Sequence, residues 1–447
     1  MRVRGKSGLV CGSVGLLLAV SQGAVAQDQP ADQFSWYTEL GAEKSDNIAR
    51  TATDELDETT GIGRVGLDIE TKRPRLQADI AADLEYRDYL DRDFNSEIAG
   101  GLDGLVDFAF IPERFSWVVE DNYGQIAKNR QVADRPDNRE QMNFLSTGPE
   151  ITIPLGARTR FEISGRYTDT YLEDSIQDNN SAIGTLSLAR AFSEQTSLAL
   201  NAGASKTEFD DPLAFPDYQT RQASLELQIN APRTQLILEG GYLEYDQDGA
   251  PDTSDYAMAR INLTRQIGAR SQLRLVAGTA PASTGESFRR DQQVMGIGDG
   301  PEAAQAASDI FRSDDVYLTW STEWQRTSLS LIGSARRETH EEFTDLDREQ
   351  VRGGVAMTRD ISQALSVDLF GNYLTEELTE SGFKFDEWSA GGSLRWDFAP
   401  RLSLELRLDH FSGSSDDGTR DYDENRAYLG IRYTGGVEKG GRNGGRY

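Results

Sequence analysis

Beyond Cys11 the 447-residue chain has no cysteine, and it has only two histidines, His340 and His410. A disulfide framework is therefore excluded, and chemistry built on a thiolate or on a histidine pair is short of material. Basic residues are also scarce, with 46 Lys+Arg against 74 Asp+Glu and a formal charge of -28. A polyanion would be repelled by such a surface, which argues against nucleic-acid binding. Long apolar runs are missing too: downstream of residue 26 there is no stretch of eighteen apolar residues, so no spanning helix is expected.

The N-terminus reads as a secretory signal peptide over residues 1–26. Arg2, Arg4 and Lys6 form a basic region, Gly8 to Val20 an apolar one, and Ala24-Val25-Ala26 a small-x-small cleavage site before Gln27. Bulky Val10 before Cys11 does not suit a lipoprotein site. An exported chain without an apolar helix either dissolves in the periplasm or inserts as strands.

From Phe34 to Thr434 one phrase recurs: about ten residues of alternating apolar and polar character, a turn, another such run, then a polar acidic loop. Over 160–168, Phe161, Ile163, Gly165 and Tyr167 take one face while Arg160, Glu162, Ser164 and Arg166 take the other. The same contrast holds for Leu402, Leu404, Leu406 and Leu408 against Ser403, Glu405, Arg407 and Asp409. Short connections fall at 72–74, 112–114, 154–158, 193–195, 231–233, 268–270, 325–326, 362–364 and 399–401. Longer ones lie around 42–59, 90–95, 126–140, 172–178, 210–217, 246–254, 281–313, 340–347, 377–384 and 412–424. Nine turns alternating with ten loops predict about twenty strands, with eighteen as the alternative. The fold class is all-β, a transmembrane antiparallel up-and-down barrel over 27–434 with both termini at the turn side, followed by a flexible tail over 435–447. A water-soluble barrel would turn its apolar face inward. Here the polar face is crowded with charge, and Trp36, Trp117, Tyr167, Tyr242, Trp320, Trp324, Tyr373, Trp388, Trp396 and Tyr433 are spaced as interface girdles.

Four phrases carry a family resemblance. Ser45-Asp46-Asn47-Ile48, then 148–156 (GPEITIPLG), Gly165-Arg166-Tyr167-Thr168-Asp169, and Tyr171-Leu172-Glu173-Asp174 resemble the exopolysaccharide-associated outer-membrane β-barrel family, also described as beta-barrel porin 2-like and PEP-CTERM system-associated. The resemblance extends in pattern over most of the mature chain and implies an outer-membrane pore of a Gram-negative bacterium, often connected with polysaccharide export. Its implied partners are outer-membrane lipid, the barrel-assembly machinery, the polysaccharide and periplasmic export proteins. The C-terminus departs from the usual barrel ending, because a Gly/Lys/Arg tail follows Tyr433.

About twenty strands should enclose a channel unless something fills it. The segment from Pro281 to Asp314 is the candidate constriction, with Phe288, Arg289 and Arg290 and a helix-compatible stretch over 301–311; a mobile external loop is the alternative. The expected lumen carries both signs: Arg160, Glu162, Arg166, Glu226, Glu239, Arg260, Arg395, Glu405 and Arg407, together with Arg64, Arg336, Arg352, Glu85 and Asp368. Most should brace neighbouring strands. The turn side carries Arg73, Arg114, Arg158, Arg233, Arg270, Arg326 and Arg401, whereas the loops are acidic, a polarity that would bias an anionic chain outward. No cofactor or metal pattern stands out, neither histidine has a nucleophile context, and the expected class is a pore rather than an enzyme. A general diffusion porin and a surface-interaction barrel with an occluded lumen are the alternatives.

Overall fold

The computed structural model describes residues 32–91, 94–129, 132–174, 177–250, 252–295, 311–340 and 344–437. The expected signal peptide and residues 438–447 of the expected tail lie outside them. The first ten strands are β1 (Gln33–Ser45), β2 (Glu58–Arg73), β3 (Leu76–Tyr89), β4 (Glu97–Ile111), β5 (Phe115–Ala127), β6 (Arg139–Pro154), β7 (Thr159–Leu172), β8 (Asn179–Ala191), β9 (Thr196–Phe209) and β10 (Tyr218–Ala231). The rest are β11 (Thr234–Gln247), β12 (Ser254–Gln266), β13 (Ser271–Ala282), β14 (Phe311–Glu323), β15 (Thr327–His340), β16 (Arg348–Asp360), β17 (Leu365–Leu378), β18 (Phe383–Ala399), β19 (Leu402–Ser415) and β20 (Tyr422–Val437); among the described residues the α-helix is α1 (Thr284–Met295), between β13 and β14.

Each strand pairs antiparallel with its sequence neighbours, and β1 pairs with β20, so the 20-stranded sheet closes. The strands run several residues farther toward the loops than the sequence pattern marks. β1 continues through Ser45 and β19 through Ser415, because a paired strand needs no membrane-facing alternation where it rises above the bilayer. β20 also passes Thr434 to Val437, with Gly435 opposite Trp36 and Gly436 opposite Ser35, which moves the expected start of the tail by three residues.

The outward face is apolar over a belt. Leu40 is 73% exposed, and Val65, Leu84, Leu200, Leu225, Leu408 and Ile431 are also exposed. In water such a belt would be untenable, whereas against lipid it is the required surface. On β18, outward-facing Trp396 lies toward the turn side and Trp388 toward the loop side. Eight residues at a rise of ~3.4 Å, tilted by ~40°, separate them by about 21 Å along the membrane normal, close to the ~25 Å apolar band of such barrels. The described residues include no helix long and apolar enough to cross a membrane; this chain crosses with strands.

The inward face is braced by charge. Arg395, Glu405, Arg432, Glu39, Arg64 and Glu85 form a line of alternating sign from β18 to β3, crossing the β20–β1 seam. Arg432–Glu39, Glu39–Arg64 and Arg64–Glu85 sit directly opposite one another in register. Tyr428 donates to Glu39 in the same line, its ring lying so close over Gly41 and Gly430 that a Cβ on either would overlap it.

β6 and β7 contain one interruption. Pro149, without an N–H, stands mid-strand beside Gly148, and the ladder skips 148 and 149. Arg166 fills the gap: its Nη1 donates to the carbonyl oxygens of Gly148 (3.4 Å), Pro149 (3.2 Å) and Gly165 (2.9 Å), and Nη2 to Glu150. Two phrases of the family resemblance thus meet at one structural repair. Arg166→Ala leaves these carbonyls uncapped and is expected to lower stability by about 1–3 kcal/mol. The check is the temperature at which the folded, fast-migrating band is lost on a gel.

Candidate functional site: the barrel lumen

The nine residues expected in the lumen lie on β7, β10, β11, β12, β18 and β19, on the strand face opposite the apolar belt. Arg160 pairs with Glu162, Arg166 with Glu150, Arg260 with Glu239, Arg395 with Glu405, and Arg407 with Glu43 and Asp409. Glu226 lies opposite Glu239. They spread around the wall rather than converge, and their observed contacts are largely bracing ones. Neither histidine sits in a catalytic setting: His340 Nδ1 is 3.3 Å from Asp347 and its ring packs on Phe311, while His410 faces outward against Trp388 and Asn425. Among the described residues no cluster of three or more His, Cys, Asp or Glu is placed to hold a metal ion.

The feature that converges is α1. β13 ends at Ala282, and Ser283 starts a capping box: its Oγ accepts from Glu286 N–H at 3.3 Å while Glu286 Oε2 accepts from Ser283 N–H at 3.3 Å. The helix that follows lies upstream of the stretch over 301–311. Of that stretch 301–310 fall outside the described residues, and Phe311 opens β14 opposite Ala282. The sequence signal that locates the helix is the Ser-x-x-Glu phrase, which a search for helical composition passes over.

One face of α1, at helical spacing, packs on β5 to β7. At Gly285 a Cβ would lie 2.8 Å from the Phe144 ring and 2.9 Å from Thr170 Oγ1, so only glycine allows the approach. Phe288 is buried with Ile126, Met142, Phe144 and Leu172, a burial that contributes roughly 1.5–3 kcal/mol. Arg289 Nη1 reaches Glu120 at 3.3 Å, and Gln292 accepts from Asn122 (3.2 Å) and donates to the Tyr123 carbonyl (2.8 Å). The opposite face is held by charge. Arg290 pairs with Asp315 of β14. Asp291 receives Arg336 of β15 at 2.9 Å and the Tyr317 hydroxyl at 3.1 Å. Arg336 also bonds Asp315 at 3.2 Å and lies 3.6 Å from Glu338. β6 and β14 stand eight positions apart around the barrel, so α1 bridges two distant walls and divides the lumen. Phe288, Arg289 and Arg290, named together from sequence, are brought to this crossing; Asp291 and Gln292, not singled out there, complete it.

At the loop end a second group narrows the mouth. Between β1 and β2, Asn47 donates to the carbonyls of Thr51 (2.8 Å) and Asp423 (2.9 Å), Ile48 is buried, and Arg50 takes a left-handed φ of 49°. Arg50 Nε reaches Glu424 at 2.9 Å, and its Nη1 lies 3.7 Å from Glu387 and 3.8 Å from Asp134 in the loop between β5 and β6. The phrase Ser45-Asp46-Asn47-Ile48 therefore folds its loop inward. Burial acts to raise the pKa of Asp134, but the charges of Arg139 and Arg50, with the Arg139 hydrogen bonds, outweigh it and hold the carboxyl well below the usual range. A depressed folded pKa contributes stability above the unfolded value of about 3.9, lost only as pH falls through the lower folded value. Hydrogen-exchange protection of 46–57, corrected for intrinsic rates, is thus expected to stay level from pH 7 to about 4 and to drop throughout in Asp134→Asn.

No family model matches the chain, and no curated protein matches it. Solved structures do. The siderophore receptor PirA of Pseudomonas aeruginosa aligns with a TM-score of 0.42 at 11% identity, covering 91% of this chain and 81% of that one. OccK2 (OpdF) of Pseudomonas aeruginosa, in complex with glucuronate, aligns with a TM-score of 0.41 at 12% identity, covering 90% and 98%. The FrpB iron transporter of Neisseria meningitidis gives 0.41 at 8%, covering 90% and 81%. The likeness is one of outline, and what each of those proteins carries is a property of that protein.

Proposed function

We propose that the protein is an outer-membrane pore of a Gram-negative bacterium, narrowed by α1, that serves as a conduit or accessory porin of an exopolysaccharide export system. The pore part is carried by one observation: among the described residues, a 12-residue helix crosses the interior of a 20-stranded barrel. Barrels of 16 to 18 strands already hold an aqueous channel, and a helix of roughly 10–12 Å diameter constricts a wider one without filling it. The export part is supported by the resemblance of the phrases that build the Arg166 repair and the inward-folded first loop. On this reading the arginine-rich turns face the periplasm, where they attract an acidic export partner, and the acidic loops face outward.

The test is single-channel recording of the folded barrel in a planar bilayer. A stable current supports the pore, and its interruption by added oligosaccharide supports the export role. Current without interruption moves the weight to a general porin. A folded but silent barrel contradicts the pore and favours a surface-interaction barrel, closed at the mouth by the Arg50 contacts.

A further inference from the structure

The two compartments that α1 creates have different walls. From β15 round to β3 the wall carries the ion-pair lines described above. From β8 to β12 it is mostly neutral, and β10 presents Tyr218, Thr220, Gln222, Ser224, Glu226 and Gln228 in succession from the loop end to the turn end. Ser205 of β9 faces Thr220, with oxygens 2.6 Å apart. No basic side chain lies in that row; Arg260 reaches only its lower end through Glu239.

A second observation indicates what this wall recognises. Glu226 Oε2 and Gln228 Oε1 have no hydrogen-bond donor among the described residues, although the two residues are only 5% and 4% exposed and both oxygens are shielded by the wall. Buried acceptors of this kind call for a donor. A row of hydroxyl and amide groups that both donate and accept, ending where the wall itself is short of donors, is complementary to a solute with many hydroxyl groups. It is not complementary to an anion, which would meet Glu226 and Glu239 at close range.

We propose that the inner face of β10, from Thr220 to Gln228, is the track on which an uncharged polyhydroxylated solute passes beside α1. This rests on the pore reading above. The groove is an aqueous wall and not a deep pocket, so binding is weak and repeated, as conduction requires.

The experiment is interruption of single-channel current in the full barrel by maltohexaose, with hexagalacturonate as the anionic probe of equal length. Wild type is expected to be interrupted by maltohexaose and more weakly by hexagalacturonate. The triple variant Thr220→Ala, Gln222→Ala, Gln228→Ala should lose maltohexaose affinity by at least about fivefold, the effect of one or two hydrogen bonds, at nearly unchanged open-channel conductance. Gln77→Ala, on the inward face of β3, serves as the control and should leave maltohexaose affinity unchanged. If the triple variant misfolds, Gln222→Lys alone should weaken the maltohexaose interruption and strengthen that by hexagalacturonate. Unchanged maltohexaose affinity in the folded variants, or stronger interruption of wild type by hexagalacturonate, overturns the track while leaving the pore intact. A folded wild-type barrel without current overturns the pore reading and the track with it.

Discussion

Replacing residues 283–310 by a two-residue Asn-Gly turn is expected to raise single-channel conductance severalfold. Ala282 and Phe311 already face each other at the ends of β13 and β14, so a tight hairpin can join them without disturbing the sheet. The deletion removes α1 and with it the contacts of Arg289 with Glu120, Gln292 with Asn122 and Arg290 with Asp315. The barrel wall itself keeps every strand pair, and the folded band should persist on gels. Conductance equal to that of the parent would mean that α1 does not limit the current path.

The second large effect is at Arg336. Its guanidinium is buried and bonds Asp291 on the helix and Asp315 and Glu338 on the wall, with the Tyr317 hydroxyl alongside. Arg336→Met leaves Asp291 without its cation, while Asp315 and Glu338 keep Arg290 and Arg348, and truncating such a buried pair costs about 3–5 kcal/mol. The helix should detach on that side, giving a lower unfolding temperature and a current that flickers between the parental level and a higher one. Arg336→Lys restores charge but not the fork of donors and should be intermediate. Adding Asp291→Asn to Arg336→Met removes the carboxylate left without its cation and should recover part of the stability. Additive losses in that double variant would show that the two residues do not act together.

Much of this architecture was legible in the residues. Alternation marks the strands because the two faces of a lipid-embedded barrel differ so strongly in polarity, and the same contrast puts Arg160, Glu226 and Arg407 on the face opposite the apolar belt. Loop length gave the order of turns and loops, because hairpins at one end need only two to four residues. Where pattern failed, the reason was reach. α1 is short and polar, and what holds it is Phe144, Asn122 and Arg336 on distant strands; only its Ser283–Glu286 capping box was local. Arg50 lay in a segment read as loop, and its role depends on Glu424 and Asp134 coming to it through closure of the sheet. Strand ends above the membrane were read short because the apolar alternation fades there although the pairing continues. Pro149 signals an interruption, but the repair by Arg166 comes from the neighbouring strand.

Cross-linking tests most directly whether α1 crosses the lumen and is pinned to the β5–β6 wall. The sequence downstream of residue 26 contains no cysteine, so Asn122→Cys with Gln292→Cys supplies the one reactive pair in the barrel. The native side chains meet at 3.2 Å, within reach of a short bifunctional maleimide. In membranes the double variant is expected to cross-link efficiently, read after cleavage at a site engineered between the two positions, with conductance held at the parental level. Absence of a cross-link in a folded barrel whose two cysteines are each alkylated by a monofunctional maleimide would contradict that placement of α1.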